Sequence, residues 1–134
     1  MIAERITESL ISQFNGNMRL VEKRPGVLQI DVPIYHEDGD MLDIFVTEKD
    51  GETRLTDFGL TVMRLSYTFE LDTDNKLRIF HELLKQDQVE FDDRNGEIYL
   101  TVTPDNLCVS LLHLAQVIAK VSRLDVLKRE VVSG

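Results

Sequence analysis

The sequence predicts an α+β fold: one domain over residues 1–134, with helices packed on a mostly antiparallel sheet of about five to six strands. Three observations predict it. Apolar residues recur at helical spacing near the N-terminus, in the middle and near the C-terminus. Between these stretches lie short runs with the two-residue alternation of strands. Turn signals at 36–40, 48–52 and 95–96 join successive runs as hairpins, which pair strands antiparallel. A chain of 134 residues suits a single core that buries roughly two thirds of its unfolded surface.

Ile2, Ile6, Leu10 and Phe14 predict the first helix, with Gly16 as its stop. "MRLVEK" (18–23) reads as a short strand closed by the Pro25-Gly26 turn. In "VLQIDVPI", Leu28, Ile30, Val32 and Ile34 share one face of a half-buried strand, and Pro33 places its end at an edge or bulge. "HEDGD" then turns into "MLDIFVT" (41–47), and "EKDGE" turns into "TRLT" (53–56), completing a meander with acidic turns. Leu60, Met63 and Leu65 suggest a short helix or irregular segment. Thr73 or Asp74 caps a helix running to about Gln86. "VEFDD" and "EIYLTV" flank Asn95-Gly96 as a second hairpin. Thr103 and Pro104 open a last helix expected to reach Val131, about 40 Å at 1.5 Å per residue. Its stripe Leu107, Leu111, Leu114, Ile118 and Val121 is expected inside a layered core, with a two-fold dimer interface as the alternative.

Composition excludes several functions. The formal net charge is −9, and residues 1–103 carry 21 acidic side chains against 11 basic ones. Nucleic-acid binding needs clustered Lys and Arg to neutralise phosphates, and no basic patch is visible here. Direct binding of nucleic acid is therefore not expected. No apolar run approaches the ~18–20 residues of a membrane span. Glu4 and Glu8 within the first helical pattern are unlike a secretory signal. The one cysteine, Cys108, cannot form an internal disulfide, and a cytoplasmic location is expected.

The motifs give little sign of an enzyme. "DFG" (57–59) matches the magnesium-holding triplet of protein kinases, but no glycine-rich loop, strand lysine or HRD-type loop accompanies it. In this chain Asp57, Gly59 and Thr61, with Gly39 in the earlier hairpin, are the structural turn residues: Asp57 caps a turn and Gly59 supplies a positive φ. His36, His81 and His113 lack zinc-site spacing, and no nucleophile elbow, P-loop or dinucleotide fingerprint occurs. Glu37, Asp38, Asp40 and Asp43 lie within seven residues around one turn. Asp38, Asp40, Asp43 and Asp57 form an alternative set of oxygen ligands for magnesium or manganese. No cofactor is otherwise expected.

"IDVPIYHEDGDMLDIFV", "TRLTDFGLTVMRL" and "LLKQDQVEFDDRNGEIYLTVTPDNL" together resemble an uncharacterised family, domain of unknown function 1828, over about residues 27 to 120. Asp38, Gly39, Thr56, Asp57, Gly59 and Thr61 occupy its motif positions, and Phe58 departs from them where the family pattern has a polar residue. The resemblance implies small bacterial and phage or prophage proteins and carries no activity with it.

The expected function is that of a small, acidic, non-catalytic binding protein of phage or mobile-element type. Its surface would comprise Glu37, Asp38, Asp40, Asp43, Glu48, Asp50, Glu52, Asp92 and Asp93. The partner would be another protein with a basic surface, such as a nucleic-acid-handling defence protein, steered in by charge. The alternatives are a divalent-metal-dependent hydrolase built on the aspartate set, and a homodimeric accessory module.

Overall fold

A computed structural model describes residues 2–36 and 38–124. In chain order the elements are α1 (Ile2–Asn17), β1 (Arg19–Arg24), β2 (Val27–Asp31), β3 (Ile44–Lys49), β4 (Glu52–Thr56) and α2 (Leu60–Leu65). There follow α3 (Asp74–Gln86), β5 (Glu90–Asp92), β6 (Glu97–Val102), a 3-10 turn at Pro104–Asn106, and α4 (Leu107–Ser122). The six strands form one antiparallel sheet in the order β1-β2-β3-β4-β6-β5. This is the predicted α+β architecture. The predicted extension of the last helix to Val131 falls mostly outside the described residues, as does Glu37.

Local chemistry sets the boundaries. Pro33 has no amide to donate, so the β2 ladder ends at Asp31. Pairing resumes in a narrow projection: Leu42 N–H donates to Ile34 O at 2.9 Å, Tyr35 bridges Met41, and His36 N–H donates to Asp40 O at 2.7 Å. The "HEDGD" turn is the tip of this projection, and β3 starts at Ile44 rather than Met41 for the same reason. Thr73 caps α3 by accepting the Lys76 amide at 3.1 Å. The Thr103 amide donates to Asn106 Oδ1 at 2.8 Å just before Pro104.

Helices α2, α3 and α4 pack on one face of the sheet, over β4, β6 and β5. The core joins Ile30, Ile44, Leu55 and Ile98 of the sheet to Phe69, Phe80, Leu114, Ile118 and Leu124. Helix α4 crosses its centre. Leu111, Leu114, Ile118 and Val121 are buried, Leu107 is partly buried against the same cluster, and Val117 is buried off the stripe. The stripe considered as a dimer interface is therefore spent in this chain's own core, because α4 is covered by α2, α3 and the sheet. Only Val109 and Leu112 of its large apolar side chains are left well exposed.

Candidate functional site

The meander alternates its turns between the two ends of the sheet. Pairing of Lys49 with Glu52, and of Thr53 with Val102, puts the β3–β4 turn at one end. Pairing of Thr56 with Tyr99, and of Asp92 with Glu97, puts the β5–β6 turn and the end of β4 at the other. The 32–43 projection leaves from that second end as well, since β2 ends and β3 begins there. The eight described residues among the nine acidic ones singled out in the sequence consequently do not gather on one surface. Glu48, Asp50 and Glu52 stand a strand length, ~17–20 Å, from the rest. Asp92 and Asp93 lie on the far side of β4, and Asp92 is taken up by its own turn and by Arg94. Asp38, Asp40 and Asp43 remain together on the projection. Where Asp92 and Asp93 lie could not be read from the sequence, because it depends on the β4–β6 pairing across 43 to 49 residues.

At the projection an arginine organises the carboxylates. Arg64, on α2, donates through Nη2 to Asp38 and through Nη1 to Asp40 Oδ2 at 3.2 Å. Asp38 also accepts the Asp40 amide at 3.0 Å, and this hydrogen bond is the main reason its carboxyl lies below the usual aspartate range. Asp43 is half-buried at the base of the projection. His36 is held below the usual histidine value, chiefly by burial and then by the Arg64 guanidinium. Between the projection, α2 and the end of α4 lies a cleft of about 590 Å3, lined among others by Tyr35, His36, Arg64, Tyr67 and Ser122. Tyr35 is 59% exposed and Tyr67 81% exposed, both at its edge. Sequence reading missed Arg64, Tyr35 and Tyr67. The only signal was an arginine in "LTVMRL", whose partners lie 24 and 26 residues earlier.

Asp57 does something different. It is fully buried, and its Oδ1 accepts the amides of Gly59 at 2.8 Å and Ile98 at 2.9 Å, while Oδ2 accepts the Thr61 amide at 3.3 Å. One side chain thus closes the β4–α2 turn and ties it to β6. Burial pushes its carboxyl up, against the pull of these hydrogen bonds. Gly59, at φ +79°, lies against the β5–β6 turn, where an added Cβ would sit 2.5 Å from Asn95 O. Phe58, itself at φ +53°, turns its ring onto Phe45 with centroids 4.8 Å apart. Oriented into this turn, the Asp57 carboxylate is not presented to the projection. Asp38, Asp40, Asp43 and Asp57 accordingly do not converge, and the described residues contain no group of three or more His, Cys, Asp or Glu able to hold a metal ion.

A second polar cluster lies on the sheet face opposite the helices. Arg54 Nη1 meets Glu97 Oε1 at 3.0 Å, the Thr56 hydroxyl donates to Glu97 Oε2 at 2.5 Å, and the Arg54 guanidinium stacks 3.7 Å over the Tyr99 ring. Thr56 Oγ1 accepts the Phe58 amide at 2.9 Å in turn. Every polar atom named there has a partner, so the cluster fastens β4 to β6 and offers no reactive group. His113 likewise bonds Asp87 O at 2.6 Å and helps dock α4 on the end of α3.

Among the described residues no helix is long and apolar enough to cross a membrane. No curated protein and no solved structure matches the chain. The elements that build the projection, the Asp57 turn and the α4 core nevertheless coincide with one family model, that of the domain of unknown function DUF1828, which matches residues 32–121; the chain belongs to that family.

Proposed function

We propose that the protein is a non-catalytic binding module of mobile-element type that engages a basic, nucleic-acid-handling partner protein through the 38–43 projection and the cleft beside it. The observation that carries this reading is the Arg64 clamp. It fixes two exposed carboxylates, Asp38 and Asp40, beside two exposed tyrosines. Fixing them in advance lowers the ordering cost that a partner's Lys or Arg must otherwise meet. Tyrosine and arginine are the side chains enriched at protein interfaces, and a cleft of about 590 Å3 admits a projecting side chain or short segment. The net charge of −9 speeds encounter with a positive surface. The polar clusters elsewhere are internally satisfied, which supports binding over catalysis.

The test is capture of partners from a host lysate at low and high salt, using the native chain and an Asp38→Asn/Asp40→Asn variant. A single basic, nucleic-acid-handling protein retained at low salt, released at high salt and lost with the variant is the expected result. Partners indifferent to salt and to the variant would overturn the reading. Tyr67→Ala separates the cleft from simple charge: it weakens capture without changing the salt dependence.

A further inference from the structure

We propose that the cleft beside the projection receives an arginine of the partner, with the guanidinium lying against the Tyr35 and Tyr67 rings and pairing with the Asp38 and Asp40 carboxylates. This rests on the reading of the protein as a binder of a basic partner, and names the side chain that it binds. The rings are the first observation. Tyr35 stands on the projection and Tyr67 just after α2, and both line the cleft while remaining exposed. Among the described residues neither ring meets a cation or another ring, and neither hydroxyl has a hydrogen-bond partner. Leu42 and Leu65, both buried, give the cleft an apolar floor.

The carboxylates are the second observation. Arg64 takes up Oδ2 of Asp38 and Oδ2 of Asp40. The two aspartate side chains nevertheless remain 59% and 68% exposed, and Asp40 Oδ1 meets no donor among the described residues. Charge in and beside the cleft favours a cation. Asp38, Asp40 and Asp43 stand against Arg64 and Arg123, and Arg123 is itself engaged. His36 adds no charge at pH 7, since burial and the Arg64 guanidinium hold it below the usual histidine value.

The geometry selects arginine over lysine. A guanidinium is planar and weakly hydrated, so it lies flat on a ring while its edge donates to carboxylates; an ammonium is a strongly hydrated point charge. The chain builds this arrangement once within itself. Arg54 lies 3.7 Å over the Tyr99 ring while its Nη1 meets Glu97 Oε1 at 3.0 Å. At the cleft tyrosine rings and carboxylates recur together, and Arg64 lies over neither ring. A volume of about 590 Å3 falls within the ~300–1,000 Å3 of small-ligand sites. It admits the arginine side chain with the backbone on either side of it.

NMR titration of the isotope-labelled full chain tests the inference. The probe is a capped glycine-serine peptide with one central arginine, and three analogues carry lysine, citrulline or glutamate in its place. The arginine peptide is expected to shift the amide signals of Tyr35, Arg64 and Tyr67. It should bind about two- to fivefold tighter than the lysine peptide and about tenfold tighter than the uncharged citrulline peptide. Tyr35→Leu and Tyr67→Leu keep an apolar side chain, and each should weaken arginine binding about two- to fivefold. Asp40→Asn should weaken the arginine and lysine peptides alike, and Glu52→Gln, at the other end of the sheet, neither. Equal binding of the arginine and lysine peptides would overturn the inference. So would arginine binding that survives both tyrosine variants, the same shifts with the glutamate peptide, or no shift with any peptide. In each of those cases, capture of a basic partner that depends on Asp38 and Asp40 leaves the wider reading standing. Arginine binding in the titration without any such capture does the converse, upholding the arginine cleft and removing the nucleic-acid-handling partner.

Discussion

Replacing Gly59 by alanine puts the packing of the Asp57 turn to a quantitative test. Gly59 lies at φ +79°, and a Cβ built there would be 2.5 Å from Asn95 O, a main-chain atom that moves only if the β5–β6 turn moves. A left-handed conformation costs an L-residue ~1–2 kcal/mol, and forcing a methyl into filled space adds ~1–3 kcal/mol. Gly51 provides an internal reference. It has the same φ, +79°, but nothing within 4 Å of the added Cβ. Gly51→Ala is thus expected to cost ~1–2 kcal/mol, and Gly59→Ala ~2–5 kcal/mol. At ~2.1 cal/mol/K of unfolding entropy per residue, a loss of ~3 kcal/mol lowers the Tm of this 134-residue chain by about 10 °C. Urea denaturation of the two variants with the native chain reads the difference directly. Equal midpoints for Gly59→Ala and Gly51→Ala would refute the reasoning, since the Asn95 contact would then cost nothing.

Three further outcomes follow from the same structure. Asp57→Asn presents an NH2 group to at least one of the three amides its carboxylate now accepts. It should destabilise by ~1–3 kcal/mol in urea melts, and no loss would deny Asp57 its role in the turn. Glu97→Ala leaves Arg54 half-buried and Thr56 without its acceptor; a loss of ~3 kcal/mol is expected, with Glu97→Gln milder, and a neutral Glu97→Ala would show that the cluster does not fasten β4 to β6. His36 titrates below its unfolded value near 6.5, so the neutral ring stabilises the fold above that pH, and the contribution is lost as pH falls through the lower folded value. The urea midpoint of the native chain should thus drop more between pH 7 and pH 5 than that of His36→Gln, and equal slopes would contradict the burial of the ring.

Much of the fold was legible because it is local. Helix α3 runs from Asp74 to Gln86 with Thr73 as its cap, as the spacing and the capping residue predict. The hairpin at Asn95-Gly96 and the acidic turns of the meander needed only short-range turn chemistry. The Asp57 turn was legible in kind, since an aspartate two residues before a glycine favours an amide-capping turn. Its third partner, the Ile98 amide, lies 41 residues away and could not be read.

What the sequence alone determined, then, was the class of each element and the sign of the charge, because periodicity, turn residues and composition act over a few residues. Tertiary structure decided which surfaces those elements leave free. Antiparallel pairing along the meander put the acidic turns of the projection and of β3–β4 at opposite ends of the sheet, while pairing of β4 with β6 brought the β5–β6 turn to the projection's end and buried Glu97 beside Arg54. Packing of α4 on the sheet consumed the apolar stripe that sequence alone left open to a dimer. The equally periodic stripe of α1 stayed outside, because one residue joins it to an edge strand. Two helices with similar apolar patterns end in opposite environments; periodicity states that a face wants cover, and only chain connectivity and strand order decide what covers it.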